Sequence, residues 1–214
     1  MRERDGVPSP ILKESSRELL PKTLKRAGKM LLELLQKDNL FSLLHRIDMD
    51  LARKHRHGRC PYCGSPLHQA NYPRKPRGGP DSLPDEYMIR FSLCCGREEC
   101  RRRSLPPSTL FMGRRVYWGC VILVVMTLRQ NRPDGASAHR LKQLLGVSRE
   151  TLIQWAAYFR DVFPTSAKWQ RIRGRVASTV RDSELPGTLA RYFIANSQSS
   201  EKGLIACLHL MATG

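Results

Sequence analysis

Between residues 19 and 51, apolar side chains return mostly every three or four positions, at Leu20, Leu24, Ala27, Leu31, Leu34 and Leu35, which is the spacing of one helix face. Asp38-Asn39 interrupts the pattern and can cap a second helix with Leu40, Phe41, Leu43, Leu44, Ile47 and Leu51 on its apolar side. The expectation is a helical hairpin packed on the rest of the chain, with a dimerisation element as the alternative. The repeat is too short for a coiled coil. Over residues 87–93, Tyr87, Ile89, Phe91 and Leu93 alternate with polar positions, which predicts a strand. Residues 72–84 are rich in Pro and Gly and predict a loop with no core of its own. Val116–Leu128 is a continuous apolar run. It is shorter than the ~20 residues a bilayer span needs, so it predicts a buried helix and no membrane partner.

A polar break, Arg129–Gly135, separates that helix from two more. The first covers about Ser137–Leu145, with Leu141, Leu144 and Leu145 apolar. Gly146 permits a sharp left-handed turn. Val147 packs beneath the turn, and Ser148 stands where a helix N-cap is wanted. The next helix, Arg149–Phe159, buries Leu152, Trp155, Ala156 and Phe159. Further on, Thr188–Ala195 and Lys202–Met211 are short apolar segments separated by a polar break. They predict helical packing onto the domain, with a partner-docking surface as the alternative.

Cysteine spacing adds a metal to this outline. Seven cysteines in a chain whose first residues lack an apolar leader point to reduced thiols or metal ligation. Cys60-Pro-Tyr-Cys63-Gly is one knuckle, and Cys94-Cys95-Gly-Arg-Glu-Glu-Cys100 supplies the second pair. Four thiolates close a tetrahedral structural Zn2+ site and leave no open position for catalysis. In an alternating strand Cys95 shares a face with Phe91 and Leu93, which favours the ligand set Cys60, Cys63, Cys95 and Cys100. Cys94 in place of Cys95 is the alternative. His55, His57 and His68 are near enough in sequence to compete, whereas Cys120 and Cys207 sit in apolar contexts and read as core.

Charge then suggests a partner. The 214 residues carry 37 Lys and Arg against 19 Asp and Glu, a formal charge of +18 with pI near 10.2. The excess is concentrated. Residues 53–115 hold 14 basic and 5 acidic residues, and residues 129–175 hold 10 and 3. Such a surface neutralises phosphates and releases counterions. On the outward face of the 149–159 helix, Arg149 and Gln154 are the candidates for base edges, with Ser148, Glu150 and Tyr158 beside them. Arg140, Lys142 and Arg160, together with Arg101, Arg102, Arg103, Arg114 and Arg115, are candidates for phosphate contacts. Residues 171–175 are a further basic run. Residues 74–79 (RKPRGG) have the composition of a flexible arm that could enter a minor groove.

The segment CPYCG…FSLCCGREEC followed by Arg101-Arg102-Arg103 resembles the zinc ribbons at the front of many bacterial transposases and of phage activators of the Ogr/Delta type, over about residues 58–103. LKQLLGVSRETLIQW is similar to the helix-turn-helix segments of transposases and homeodomain-like bacterial regulators. These resemblances imply a mainly α fold with a small zinc-ribbon β hairpin. The expected division is a helical N-terminal region (1–52), a zinc ribbon with a basic loop (53–115), a three-helix helix-turn-helix domain (116–164), and a basic linker with a short helical tail (165–214). They imply a cytoplasmic, nucleoid-associated protein that binds double-stranded DNA. It would be an accessory, targeting or regulatory protein of a bacterial transposable or integrative element, with a recombinase or transposase as partner. A phage- or plasmid-type activator meeting RNA polymerase is the alternative, and an RNA-binding zinc ribbon is a second. No catalytic set is recognisable: there is no phosphate-binding GxxxxGK[ST] loop, no deaminase signature, and too little chain after residue 164 for a ribonuclease-H-like sheet.

Overall fold

The computed structural model describes residues 28–129 and 137–214. In chain order these form helix α1 (28–34), helix α2 (Asp38–Arg56) and strands β1 (Leu67–Gln69), β2 (Tyr72–Pro73), β3 (Ile89–Arg90), β4 (Leu93–Cys95) and β5 (Arg103–Ser104). Helices α3 (Gly119–Arg129), α4 (Ala138–Leu145), α5 (Arg149–Ala157), α6 (Ala167–Arg173), α7 (Gly187–Ala195) and α8 (Ser200–Thr213) follow. Leu20, Leu24, Ala27 and the polar break Arg129–Gly135, apart from Arg129 at the end of α3, lie outside the described residues. No described helix is long and apolar enough to cross a membrane.

Helix α3 is apolar on every side, so it has to be enclosed. Every residue from Gly119 to Thr127 is buried, and α5, α7 and α8 pack around it. Its polar member, Thr127, bonds its hydroxyl to the Leu123 carbonyl at 2.7 Å. Val116, expected in this helix, is outside it and 53% exposed. The apolar core is continuous from Leu31 and Leu34 in α1 to Leu210 and Met211 in α8. The stretch 165–175, expected as linker, contains α6, and Trp169 and Ile172 of that helix are fully buried in the same core.

Asp38 stands inside the first turn of α2 rather than before it, with Lys37 in the cap position. Its carboxylate accepts a hydrogen bond from the Ser82 hydroxyl at 3.0 Å. One face of α2 buries Leu40, Phe41 and Leu44 as expected, but it also buries Asp48, which is 1% exposed. That carboxylate accepts from the Ser108 hydroxyl, the Thr109 N–H at 2.6 Å and the Thr109 hydroxyl at 2.8 Å. The loop 106–110 is thereby fastened to α2. Burial pushes the Asp48 carboxyl above the usual carboxylate range, and the hydrogen bonds from Ser108 and Thr109 oppose that shift. Asp48→Ala would leave the buried Thr109 N–H and the half-buried Ser108 hydroxyl without this acceptor, while the Thr109 hydroxyl keeps the Leu44 carbonyl at 3.2 Å, and is expected to cost roughly 3 kcal/mol. Thr109→Val removes only one of these hydroxyls and is expected to cost roughly 1 kcal/mol, both read from urea unfolding midpoints.

Two small antiparallel sheets make the rest. β1, β4 and β5 form one, with Leu67 opposite Cys95 and Leu93 opposite Ser104. β2 and β3 form the other, with Tyr72 opposite Arg90. The strand expected over 87–93 is divided. Residues Asp85–Met88 are a 3-10 turn, and β3 and β4 belong to different sheets. The supposedly outward positions Arg90 and Ser92 are buried along with Leu93, while Tyr87, Ile89 and Phe91 are only half-buried. For Arg90 the reason is specific partnering, since its guanidinium donates to the Phe91 and Pro106 carbonyls; at Ser92 only the backbone N–H is partnered, by Asn71 Oδ1 at 3.1 Å, and the buried hydroxyl has no partner.

The Pro- and Gly-rich segment is not an arm. Arg77 N–H donates to the Val116 carbonyl at 2.8 Å, and Arg74 donates to the Arg115 carbonyl at 2.7 Å. A Cβ on Gly79 would stand 2.6 Å from Trp118 Nε1, so only glycine lets the backbone lie flat on that indole. Residues 72–83 form a strap across the core, ending in buried Leu83.

Candidate metal centre and adjoining basic surface

Each cysteine pair is presented by its own turn. In the first, the Gly64 N–H donates to the Cys60 carbonyl and the Cys60 N–H to the Ser65 carbonyl, both at 2.9 Å. In the second, the Cys100 and Arg101 N–H groups both reach the Arg97 carbonyl. The antiparallel pairing of Leu67 with Cys95 brings the two turns together. The sulfurs of Cys60, Cys63, Cys95 and Cys100 all lie within 4.8 Å of one another. Cys60 Sγ is 3.8 Å from Cys100 Sγ, and Cys63 Sγ is 3.4 Å from Cys95 Sγ. A zinc with four Zn–S bonds of about 2.3 Å requires sulfurs about 3.8 Å apart, so the cluster fits a closed tetrahedral ion.

The chemistry of the donors agrees. All four are free thiols, and the cluster contains no carboxylate or imidazole. Hydrogen bonds from the Ser65 hydroxyl and backbone pull the Cys63 thiol down to about 6. Burial pushes the Cys95 thiol up to about 12. Metal binding must therefore displace protons, so affinity falls with acid. Cys94, the alternative ligand, points elsewhere, and its thiol donates to the Arg101 carbonyl at 3.3 Å. His55 bonds Ser104 Oγ at 2.8 Å, and no histidine joins the four thiols. Cys120 and Cys207 are buried in the helical core.

Behind the ribbon, α4 and α5 are joined by a tight turn. Ser137 caps α4 by accepting from the Arg140 N–H, and Ser148 caps α5 by accepting from the Thr151 N–H. Gly146 between them has φ 63°, a left-handed conformation that favours glycine. Its carbonyl accepts from the Tyr117 hydroxyl at 2.8 Å, and the Tyr117 ring meets Trp155 edge-on at 5.0 Å. α5 buries Leu152 and Trp155 and exposes Arg149, Glu150, Ile153 and Gln154. Arg140 and Lys142 on α4 are exposed as well. Two details differ from expectation. Leu144 is 50% exposed and Ala156 is exposed, because the buried stripe of each helix is narrower than its run of apolar residues.

Two expected contact residues are already engaged with each other. The Arg115 guanidinium lies over the Tyr158 ring at 3.8 Å, and it also approaches the Met112 carbonyl at 3.4 Å. Tyr158 is half-buried against Phe159 and Phe163. This pair joins the loop before α3 to the π-helical turn Tyr158–Val162 that continues α5. Arg160 forms a two-pronged pair with Asp161 at 2.8 Å. Arg101 and Arg114 are exposed, while Arg102 lies over Tyr62 at 4.3 Å and Arg103 over Tyr72 at 5.2 Å. Tyr117, Arg74 and Asp48 organise this region, and no sequence pattern marks them. Each acts through a partner about 30 to 60 residues away, at Gly146, Arg115 and Thr109 respectively. No protein-family model matches this chain, no curated protein matches it, and no solved structure matches its fold.

Proposed function

We propose that the chain is a zinc-stabilised protein that binds double-stranded DNA, with α4 and α5 acting as a helix-turn-helix and α5 lying in the major groove. The observation that carries this reading is the outward face of α5, polar except for Ile153. Arg149, Glu150 and Gln154 stand exposed on a helix whose opposite side is anchored by Leu152 and Trp155, in a chain of charge +18. An arginine fork suits guanine O6 and N7, an amide suits adenine N6 and N7, and a carboxylate accepts from cytosine N4. Arg140, Lys142, Arg101, Arg102, Arg103 and Arg114 are the phosphate contacts in this reading. Arg115 and Tyr158 hold the helix in place rather than touch DNA.

The role is binding rather than catalysis. Zinc, when bound, cross-links the two knuckles; the chain's own residues hold α5 against the loop before α3 through Tyr117 and Arg115. The ribbon's resemblance to those of mobile-element proteins supports an accessory, targeting or regulatory role in transposition or integration. Selection from a random duplex pool tests the reading, and a discrete site is expected to enrich. Arg149→Ala is expected to relax preference at one base pair by about 1–3 kcal/mol. Lys142→Ala is expected to weaken all sequences alike. A folded, zinc-loaded chain that enriches no duplex would overturn the proposal.

A further inference from the structure

A second basic surface lies where the last turns of α2 cross β1 and β4. Two cavities there share Arg53 and Arg56 as lining residues. One, of about 430 Å³, is also lined by Arg59. The other, of about 230 Å³, has Phe91 and Leu93 on its wall and the amide side chains of Gln69 and Asn71 at its edge. Arg56 is exposed and Arg53 has a side chain 67% exposed, so both can reach a ligand. One carboxylate, Asp50, stands 3.3 Å from Arg53, which leaves the groove cationic. The helix end does not compete for these charges. The His57 N–H already caps the Arg53 and His55 carbonyls.

From this arrangement we infer that the α2–β1 groove binds a single-stranded segment of nucleic acid, phosphates along the arginines and one unstacked base against Phe91. Cations alone would suit any phosphate backbone. A recessed apolar wall beside hydrogen-bonding amides suits something else: a flat ring whose edge is free, which a paired and stacked duplex does not offer. The Phe91 ring is held in place by His45, stacked at 5.8 Å. Asn71 Oδ1 already accepts from the Ser92 N–H, so its amide NH2 is the part left to read a base. The larger cavity, about 430 Å³, falls in the range of small-ligand sites, and the smaller, about 230 Å³, leaves room for a single base. This site uses no residue of α5, so it goes beyond the duplex reading and stands or falls separately. With both, the protein would occupy a junction between duplex and single strand.

The test is fluorescence anisotropy of the full, zinc-loaded chain with a labelled oligothymidine and with a labelled duplex. Arg53→Glu/Arg56→Glu is compared with Lys29→Glu/Lys202→Glu, which changes the charge equally. The second pair lies near the other end of α2, where Asn39 meets Glu201, about 25 Å along the helix from Arg56. Both variants must retain zinc and helical circular dichroism. The expected result is at least a tenfold loss of oligothymidine affinity in the groove variant, less than threefold in the control, and less than threefold for either on duplex. Arg149→Ala is expected to give the reverse pattern. Oligothymidine binding that survives in the groove variant, or that is lost equally with duplex binding or equally in the control, overturns the inference. Failure of duplex binding with intact groove binding overturns the helix-turn-helix proposal instead.

Discussion

Cys60→Ser is expected to abolish zinc binding and to unfold the two knuckles with β1, β4 and β5, while the helical core and the strap packed on it survive. The ribbon has almost no core of its own. Its buried cluster is Cys60, Leu67, Leu93 and Cys95, and two of those four residues are metal ligands. Its strands are two or three residues long, well short of what holds a sheet together unaided. Structural zinc contributes about 10–16 kcal/mol in finger-sized units, so the metal outweighs every other contact that holds the ribbon folded. The helical core shares none of the ligands and centres on α3. Metal analysis is expected to find one zinc per wild-type chain and none in the variant. Hydrogen exchange should then show protection lost across β1, β4 and β5 and kept in α3, α7 and α8. Cys94→Ser should retain the metal, because that thiol faces the Arg101 carbonyl.

Trp118→Ala is expected to do the opposite: to leave zinc content unchanged and to destabilise the helical core. Trp118 is 1% exposed. Its indole meets Phe41 of α2 edge-on at 5.2 Å and stacks on Phe111 at 5.5 Å, and the strap lies against it at Gly79. Truncation opens a cavity at the meeting point of α2, the strap and the start of α3. The cost of such a change is about 3–5 kcal/mol. For a chain of this size that lowers the melting temperature by roughly 6–20 °C, at about 2–4 °C per kcal/mol. Calorimetry on zinc-loaded protein checks it. A fall of only a degree or two would mean that the strap and α2 are not held through this residue.

What the sequence made legible was whatever depends on near neighbours. The knuckle spacing and the alternation Leu93-Cys94-Cys95 favour Cys95 over Cys94 without deciding between them, because side-chain direction in a strand is a local property, and the structure brings Cys95 to the cluster. The uncharged run announced α3, and Ser148 and Gly146 announced the turn between α4 and α5. What was illegible depends on distant partners. Arg90 and Ser92 look like solvent positions until Pro106 and Asn71 are placed beside them. Residues 74–79 look like a mobile arm until Arg115, Val116 and Trp118 are found along them. Arg115 reads as a free cation in a basic run, yet Tyr158, 43 positions later, takes up its face. Asp48 has the spacing of a polar interruption on an amphipathic helix. Only the loop at 108–110 shows it to be a fastening point.

The most direct test of the account is the salt dependence of duplex affinity for the zinc-loaded chain. Six exposed or ring-stacked cations are assigned to phosphates: Arg101, Arg102, Arg103, Arg114, Arg140 and Lys142. Counterion release then gives a slope of log K against log salt of about −5. A slope near that value, reduced by about one in Lys142→Ala, is the expected result. Zinc-loaded protein that binds no duplex at low salt, or binds it with a flat salt dependence, would contradict the assignment of this surface to DNA.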